Sequence, residues 1–176
     1  TGDVGISAID QFTNFYLDYK YCSEDDYHSS FMFDYKGLVR LTAFSESLYH
    51  QLDHIPFDRP DKNEFTFNDQ NPADNYHIRT KQSQVKAKVK TGNYPGHINL
   101  TYWRLEREGQ QQLRYLDEDC TGCHVQSRSQ ALDRVTEEVK ASADAHIGYF
   151  DLAVEQIFRE FEEKTPIPQD DFGTNF

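Results

Sequence analysis

Cysteine, methionine and tryptophan are scarce in this chain of 176 residues, which contains three Cys, one Met and one Trp. An odd, small number of cysteines does not fit a scaffold held together by disulfides. No apolar run reaches the roughly 18 residues of a membrane-spanning helix, so we expect no transmembrane segment. The net charge of −12 argues against nucleic acid, whose phosphates attract Lys and Arg. The same charge would steer a basic partner toward the protein.

Aromatic residues are the abundant class, with 13 Phe and 11 Tyr, although only 37% of all residues are hydrophobic. Each large ring buries much surface, so even a polar chain can build a core. The length predicts a single domain over 1–176. The start shows no leader with charged, apolar and small-residue regions, which indicates either a cytosolic protein or a mature form whose leader has been removed.

Two segments carry helical spacing. Apolar residues between Ile6 and Tyr21 predict a short amphipathic helix. A second series steps by three and four residues from Leu132 to Phe161 and predicts one long amphipathic helix over 130–163, closed by prolines. The tail at 165–176 is expected to be loose.

Other segments alternate as strands do. We expect strands at Phe31–Tyr35, Val85–Lys90, His97–Arg107 and Gln112–Leu116, with turns at Lys36–Gly37, Thr91–Gly96 and Glu108–Gly109. Leu38 to Ile55 carries a helical stripe, yet its first part could equally be a returning strand. The last two strands read as a hairpin that leads directly to the cysteine pair.

The segment Cys120-Thr121-Gly122-Cys123-His124 fits the pattern Cys-x-x-Cys-His, which is typical of c-type haem attachment. Two thiols at this spacing can form thioethers with the two haem vinyl groups, and the adjacent imidazole can ligate the iron. We therefore expect one covalent haem c, held by Cys120 and Cys123 with His124 as an axial ligand. A zinc site would need a second ligand pair, and a thioredoxin-like dithiol would need a βαβ unit upstream.

The second axial ligand stays open at this level. His146 is placed first, because it lies on the apolar stripe of the predicted long helix, where an imidazole is out of place. Met32 could offer a thioether. The remaining candidates are an open site, the thiol of Cys22, and five histidines in polar or turn contexts, expected to be exposed: His28, His50, His54, His77 and His97.

The haem motif resembles that of c-type cytochromes. A looser resemblance runs from Phe65 to His124: an Asn71-Pro72-Ala73-Asp74 segment and a hairpin ending Leu113-Arg114-Tyr115-Leu116 precede the motif, as in the extracytoplasmic single-haem PAS-like domains of bacterial sensors. This resemblance implies an α+β fold with the haem at the edge of an antiparallel sheet. Together with the periodicity, it predicts about five strands, flanking helices and a long C-terminal helix. A mostly α cytochrome is the alternative.

These features predict a monohaem protein for one-electron transfer outside the cytoplasm, periplasmic or equivalent, in its mature form. Its expected partner is a redox protein with a basic docking face, and a homodimer or a place in a larger complex is left open. The alternative is a redox or gas sensor that signals through the C-terminal helix. We do not expect the protein to be an enzyme. The motif is nevertheless compatible with peroxidase-like activity, which needs an open iron site and a distal acid–base residue.

Overall fold

A computed structural model describes residues 2–9, 13–21, 26–55, 66–92, 94–116 and 124–166, and all regular structure within them is β-strand. The strands are β1 Gly2–Ile9, β2 Thr13–Tyr21, β3 Tyr27–Tyr35, β4 Val39–Leu52, β5 Thr66–Asp69, β6 Tyr76–Lys90, β7 Gly96–Leu116, β8 His124–Ile147 and β9 Phe150–Glu163.

The nine strands form one sheet in the order β1-β2-β3-β4-β6-β7-β8-β5, and β9 also pairs with β8. β1 to β4 pair antiparallel with their sequence neighbours, whereas β5 pairs with the beginning of β8 in parallel. Side-chain bonds from β7 to β8 join His97 to Asp144 and Gln111 to Gln130, so these two strands also run antiparallel.

Two tight turns show why the chain reverses where it does. Lys36 and Gly37 both have positive φ, 53° and 65°, and the Leu38 amide donates to the Tyr35 carbonyl at 2.9 Å. This is a type I′ turn, whose twist suits a hairpin. Gly148, with φ of 62°, opens the two-residue connection between β8 and β9.

The described chain divides into two compact units. Unit 1 comprises Thr1–Tyr49, Arg79–Glu106 and Val135–Glu162, and unit 2 comprises His50–Ile78, Arg107–Arg134 and Glu163–Phe176. Among the described residues, unit 1 buries Val135 and the polar Asp34 and Ser47. Unit 2 buries Tyr76, Leu132 and Ser127.

The expected α+β fold with flanking helices is wrong, as is the mostly α alternative, because no helix occurs among the described residues. The segment Ile6–Tyr21 holds β1 and β2. The predicted helix at 130–163 is the greater part of β8 followed by β9. The residues that are spaced by three and four positions in this segment lie on both faces of the sheet. Val139 and His146, for example, are seven residues apart on β8, so their side chains point to opposite faces. A loose tail was expected at 165–176, of which 167–176 lies outside the described residues.

Several local predictions are confirmed. Phe31–Tyr35, Val85–Lys90 and His97–Arg107 are strand, and Lys36–Gly37 is a turn. The turn expected at Glu108–Gly109 is wrong, because β7 continues through it to Leu116. Within the described ranges, no helix has the length and apolarity needed to cross a membrane.

Candidate functional site

The haem motif falls at the connection from β7 to β8. Cys120 and Cys123 belong to residues 117–123, which lie outside the described residues, as does Cys22. His124 is the first residue of β8, and its backbone pairs with Thr66 of β5 in parallel. The structure therefore fixes the backbone position of the predicted axial ligand within unit 2.

A polar network attaches the beginning of β8 to its neighbours. The buried Ser127 hydroxyl donates to Asp69 Oδ1 at 3.0 Å and accepts from Gln112 Nε2 at 2.9 Å. The Ser129 amide donates to Asn71 Oδ1 at 2.9 Å. Three residues beyond His124, the strand is thus bonded through side chains to β7 on one side and to the β5 segment on the other.

His54 extends this network and is held through both ring nitrogens. Nδ1 lies 2.9 Å from Asp69 Oδ2, and Nε2 lies 2.8 Å from the Asp74 carbonyl oxygen. Both partners are acceptors, so the ring can donate to both only as the imidazolium. The ring also packs against the buried Tyr76, with centroids 4.6 Å apart.

The pKa values agree with this geometry. The hydrogen bond to Asp69 raises the pKa of His54, and the bond to the Asp74 carbonyl adds to the effect. Burial disfavours the charged form of Asp69, yet hydrogen bonds from the Asn71 amide, His54 and Ser127 hold its pKa below the usual range. The pair is therefore ionised over a wide pH interval.

The order of these groups excludes a hydrolytic triad. Ser127 is bonded to the carboxylate of Asp69 and to Gln112, whereas the imidazole of His54 contacts the other carboxylate oxygen. A serine nucleophile needs the imidazole beside its own hydroxyl and access to substrate. Ser127 has neither, since it is fully buried. The side chains of His54, Asp69 and Ser127 instead hold neighbouring segments together, and we call these three residues the clamp.

The residues next to the motif suit a haem group. Two thiols and one imidazole form the complete donor set of a c-type attachment. On the strands that lead into and out of the motif, Arg128 lies over the ring of Tyr115, 4.9 Å from its centroid, and Arg114 bonds to the Ile55 carbonyl. Arg128 shares one sheet face with Tyr115 and Gln126, whereas Arg114 lies on the opposite face with Gln112 and Ser127.

His146 belongs to unit 1 and lies next to the last residue of β8. Its Nδ1 is 2.6 Å from Asp151 Oδ1, and the side chain is exposed. The prediction that His146 lies on the apolar stripe of a helix is wrong, because the segment is a strand and His146 shares the polar face of the sheet with Asp151. Its assignment as second ligand stays a prediction.

The other ligand candidates are spread over both units. Met32 is half-buried in β3, opposite Thr42. His28 packs on Phe44, with centroids 5.2 Å apart. His50 is exposed. The Nδ1 atom of His77 lies 3.2 Å from the Asn75 carbonyl oxygen, and the Nδ1 atom of His97 lies 2.9 Å from the Asp144 carboxylate. Within the described ranges no group of three His, Cys, Asp or Glu side chains could hold a metal ion.

Sequence reasoning missed the clamp. It assigned His54 to an exposed polar context and gave no role to Asp69, Ser127 or Tyr76. A short Asp-Gln-Asn-Pro turn after an alternating run was the available signal. It could not reveal that 69 and 127 meet, because that contact depends on parallel pairing of distant segments.

No family model matches the chain, and no curated protein or solved structure is significantly similar to it.

Proposed function

We propose that this chain is a monohaem c-type protein that transfers single electrons outside the cytoplasm. The observation that carries the proposal is the Cys-x-x-Cys-His segment, placed at the β7–β8 connection with His124 as the first residue of a fixed strand. Bound haem supplies a one-electron couple between ferric and ferrous iron. Cys120 and Cys123 would hold the group through thioethers, and His124 would ligate the iron.

The chain's own residues define the electrostatics of such a site. Arg114 and Arg128 bring positive charge to the strands beside the motif, and Tyr115 donates a hydrogen bond to Gln126 at 3.0 Å. A positive charge close to a bound haem would favour the reduced form and so raise the reduction potential. The His54–Asp69–Ser127 clamp keeps the backbone after His124 in place.

A basic redox partner suits the net charge of −12. Attraction between opposite charges speeds association, and salt weakens it. The sensor alternative relied on a long C-terminal helix to carry the signal. β8, a two-residue turn and β9 occupy 130–163, so the helix that would carry such a signal does not occur there.

The test is expression in a periplasm that attaches haem c, followed by the spectrum of the pyridine adduct. We expect a c-type band that stays with the chain after acid–acetone extraction, and a reversible one-electron couple. Cys120→Ser together with Cys123→Ser should abolish covalent haem. The matched control is Cys22→Ser, which removes the third cysteine and should leave haem attachment unchanged.

Three outcomes would contradict the proposal. They are a chain without haem, a b-type band, or haem that is equally lost in the Cys22 variant. Stoichiometric zinc or a purely dithiol–disulfide couple at these cysteines would point to the competing readings of the motif.

A further inference from the structure

One face of the unit 1 sheet carries an uncharged stretch on each of several strands, and we call these stretches together the apolar face. On β1 to β4 the pairing register shows which side chains lie on the apolar face, because directly paired residues point to the same side of the sheet. Phe15 pairs with Phe33, and Leu17 with Phe31. Phe33 in turn pairs with Leu41 of β4. Ile6 of β1 joins them through its pairing with Leu17.

Across β6, the Lys90 amide donates to the Leu38 carbonyl and the Thr91 amide donates to the Gly96 carbonyl, which puts Val39, Val89 and Ile98 on one side of the sheet. The same face continues on β7, β8 and β9. His97 contacts Asp144, and Asn99 contacts Ser142, which places these residues on the opposite, polar face. Alternation then places the intervening side chains on the apolar face. On β9, Asp151 and Arg159 bond to the polar face of β8, so the even-numbered residues of β9 point the other way. The members are Ile98, Leu100, Tyr102, Val139, Ala141, Ala143, Ala145, Ile147, Phe150, Leu152, Val154, the polar but uncharged Gln156, and Phe158.

These side chains are uncovered in the single chain. Leu100 is 51% exposed, Phe150 70% and Phe158 67%. Ile6, Ile98, Ile147, Leu152 and Val154 are also more than half exposed. A contiguous apolar patch of this kind marks an interaction surface.

The uncharged stretch is at least seven residues long on each of five strands. On this face no Asp, Glu, Lys or Arg occurs over 27–35 of β3, 39–51 of β4, 96–102 of β7, 139–147 of β8 or 150–158 of β9. The spans of β3, β8 and β9 are nine residues each, about 26 Å at ~3.3 Å per residue. The polar face carries charge within the same spans, including Asp34, Lys140 and Asp144.

Both ends of the apolar face are marked by polar or amphipathic groups. At one end of β7 and β8, Glu137 accepts hydrogen bonds from Tyr102 at 2.9 Å and from Arg104. At the other end the hairpin tips carry Tyr94 and Tyr149, which is fully exposed. Tyrosines are enriched where hydrocarbon meets water.

We propose that the occupant of the apolar face is the hydrocarbon interior of a lipid bilayer. That interior is ~30 Å thick, and a tilted β-strand crosses it with about 9–11 residues. A bilayer imposes a common width on neighbouring strands, which the nine-residue spans of β3, β8 and β9 match, whereas a folded protein partner imposes none. The inference does not rest on the haem proposal, because every residue that carries it belongs to unit 1.

The proposal makes one structural demand on the membrane-bound form. Unsatisfied backbone amides cost several kcal/mol each in hydrocarbon. The outer edges of β1 and β9, which are the edges of the unit 1 sheet among the described strands, must therefore be paired there.

Two adjacent positions on β7 give a matched test. In a Trp103→Phe background, Leu100→Trp places the single tryptophan on the apolar face and Thr101→Trp places it on the polar face. Each full-length variant is diluted from urea into phosphatidylcholine vesicles with or without bromine on the acyl chains. We expect brominated lipid to quench the Leu100→Trp emission at least threefold more than the Thr101→Trp emission. The unsubstituted chain should float with the vesicles.

The results that overturn the proposal are distinct. A chain that remains at the bottom of the flotation gradient, or equal quenching of both tryptophans, would exclude hydrocarbon as the occupant. A blue-shifted Leu100→Trp emission without quenching, in a chain that sediments as a dimer, would assign the face to a second copy. Flotation of the unsubstituted chain keeps the test valid if a tryptophan variant fails to fold.

Discussion

Gly109 is a residue whose identity the backbone dictates. It lies within β7 with φ of 145°, a conformation that L side chains rarely adopt, and an added Cβ would overlap the carbonyl group of His77. Here the absence of a side chain lets β6 and β7 approach each other. From the sequence we expected a turn at this glycine, because a glycine within a strand and a glycine in a turn cannot be distinguished from their local sequence.

We predict that Gly109→Ala lowers the free energy of unfolding by about 2 kcal/mol or more, since neither the φ angle nor the neighbouring backbone accommodates a methyl group. Urea unfolding followed by circular dichroism measures it. Gly5→Ala in β1 is the matched control, because its Cβ would meet only Asp18 Oδ1 at 3.9 Å. An equal loss in both variants would show that strand propensity, not overlap at Gly109, sets the cost.

His54 gives unit 2 a pH dependence with a definite sign. Its folded pKa is raised, so its stabilising contribution is complete below the unfolded value of about 6.5 and is lost as the pH rises through the folded pKa. Asp69 has a lowered pKa, so its contribution is present above about 3.9 and is lost as the pH falls through the folded value.

We therefore expect His54→Gln to flatten the decline in stability above neutral pH, with a larger cost at pH 5.5 than at pH 8.5. Urea midpoints at both pH values measure the difference. His50→Gln, at an exposed neighbouring histidine, should leave the pH profile unchanged. A cost of His54→Gln that is the same at both pH values would show that the imidazolium is not the form that matters.

At the scale of the element, the hairpins are set by their turn residues. Lys36 occupies the first central position of a type I′ turn at φ 53°, although such positions favour Asn or Gly. A left-handed conformation costs an ordinary L residue roughly 1–2 kcal/mol.

Lys36→Asn should accordingly stabilise the chain by about 0.5–1 kcal/mol, because Asn tolerates the left-handed region better than Lys does. Thermal and urea unfolding check the gain. Lys36→Ala removes the same charge but keeps the backbone cost, so it should give no such increase. Equal stabilisation by both would attribute the effect to charge.

The same scale explains which elements the sequence predicts. Val85–Lys90 alternates valine and alanine with lysine, and the structure confirms it as strand. Between 138 and 155, alanines and helix-favouring charged residues conceal a similar alternation on β8 and β9. Gly148-Tyr149, a two-residue turn with glycine first, was the local clue to a hairpin there. Of the candidate site, the sequence supplied the motif, while the clamp depends on a pairing between segments far apart in the chain.

For the whole molecule, what the sequence could not show is the alignment of the strands. Each strand taken alone has only three to five apolar positions on one side, too few to be distinguished from an ordinary amphipathic strand. Register joins them into one apolar face. The sequence has no apolar run long enough for a membrane-spanning helix, and the proposed lipid contact concerns strands.

The parallel pairing of β5 with β8 has a consequence for the order of folding. It brings Asp69 to Ser127, 58 residues away in sequence, whereas the turns at Lys36–Gly37 and Gly148–Tyr149 join strands separated by a few residues. Short hairpins close in about 1–10 μs, and the entropy of closing a long loop delays distant contacts. The hairpins should therefore form first and β5 should dock late. Until β5 docks, the edge of β8 at His124 is unpaired on the side that β5 will occupy. The backbone of His124, the final residue of the Cys-x-x-Cys-His segment, is therefore among the last parts of the chain to be fixed.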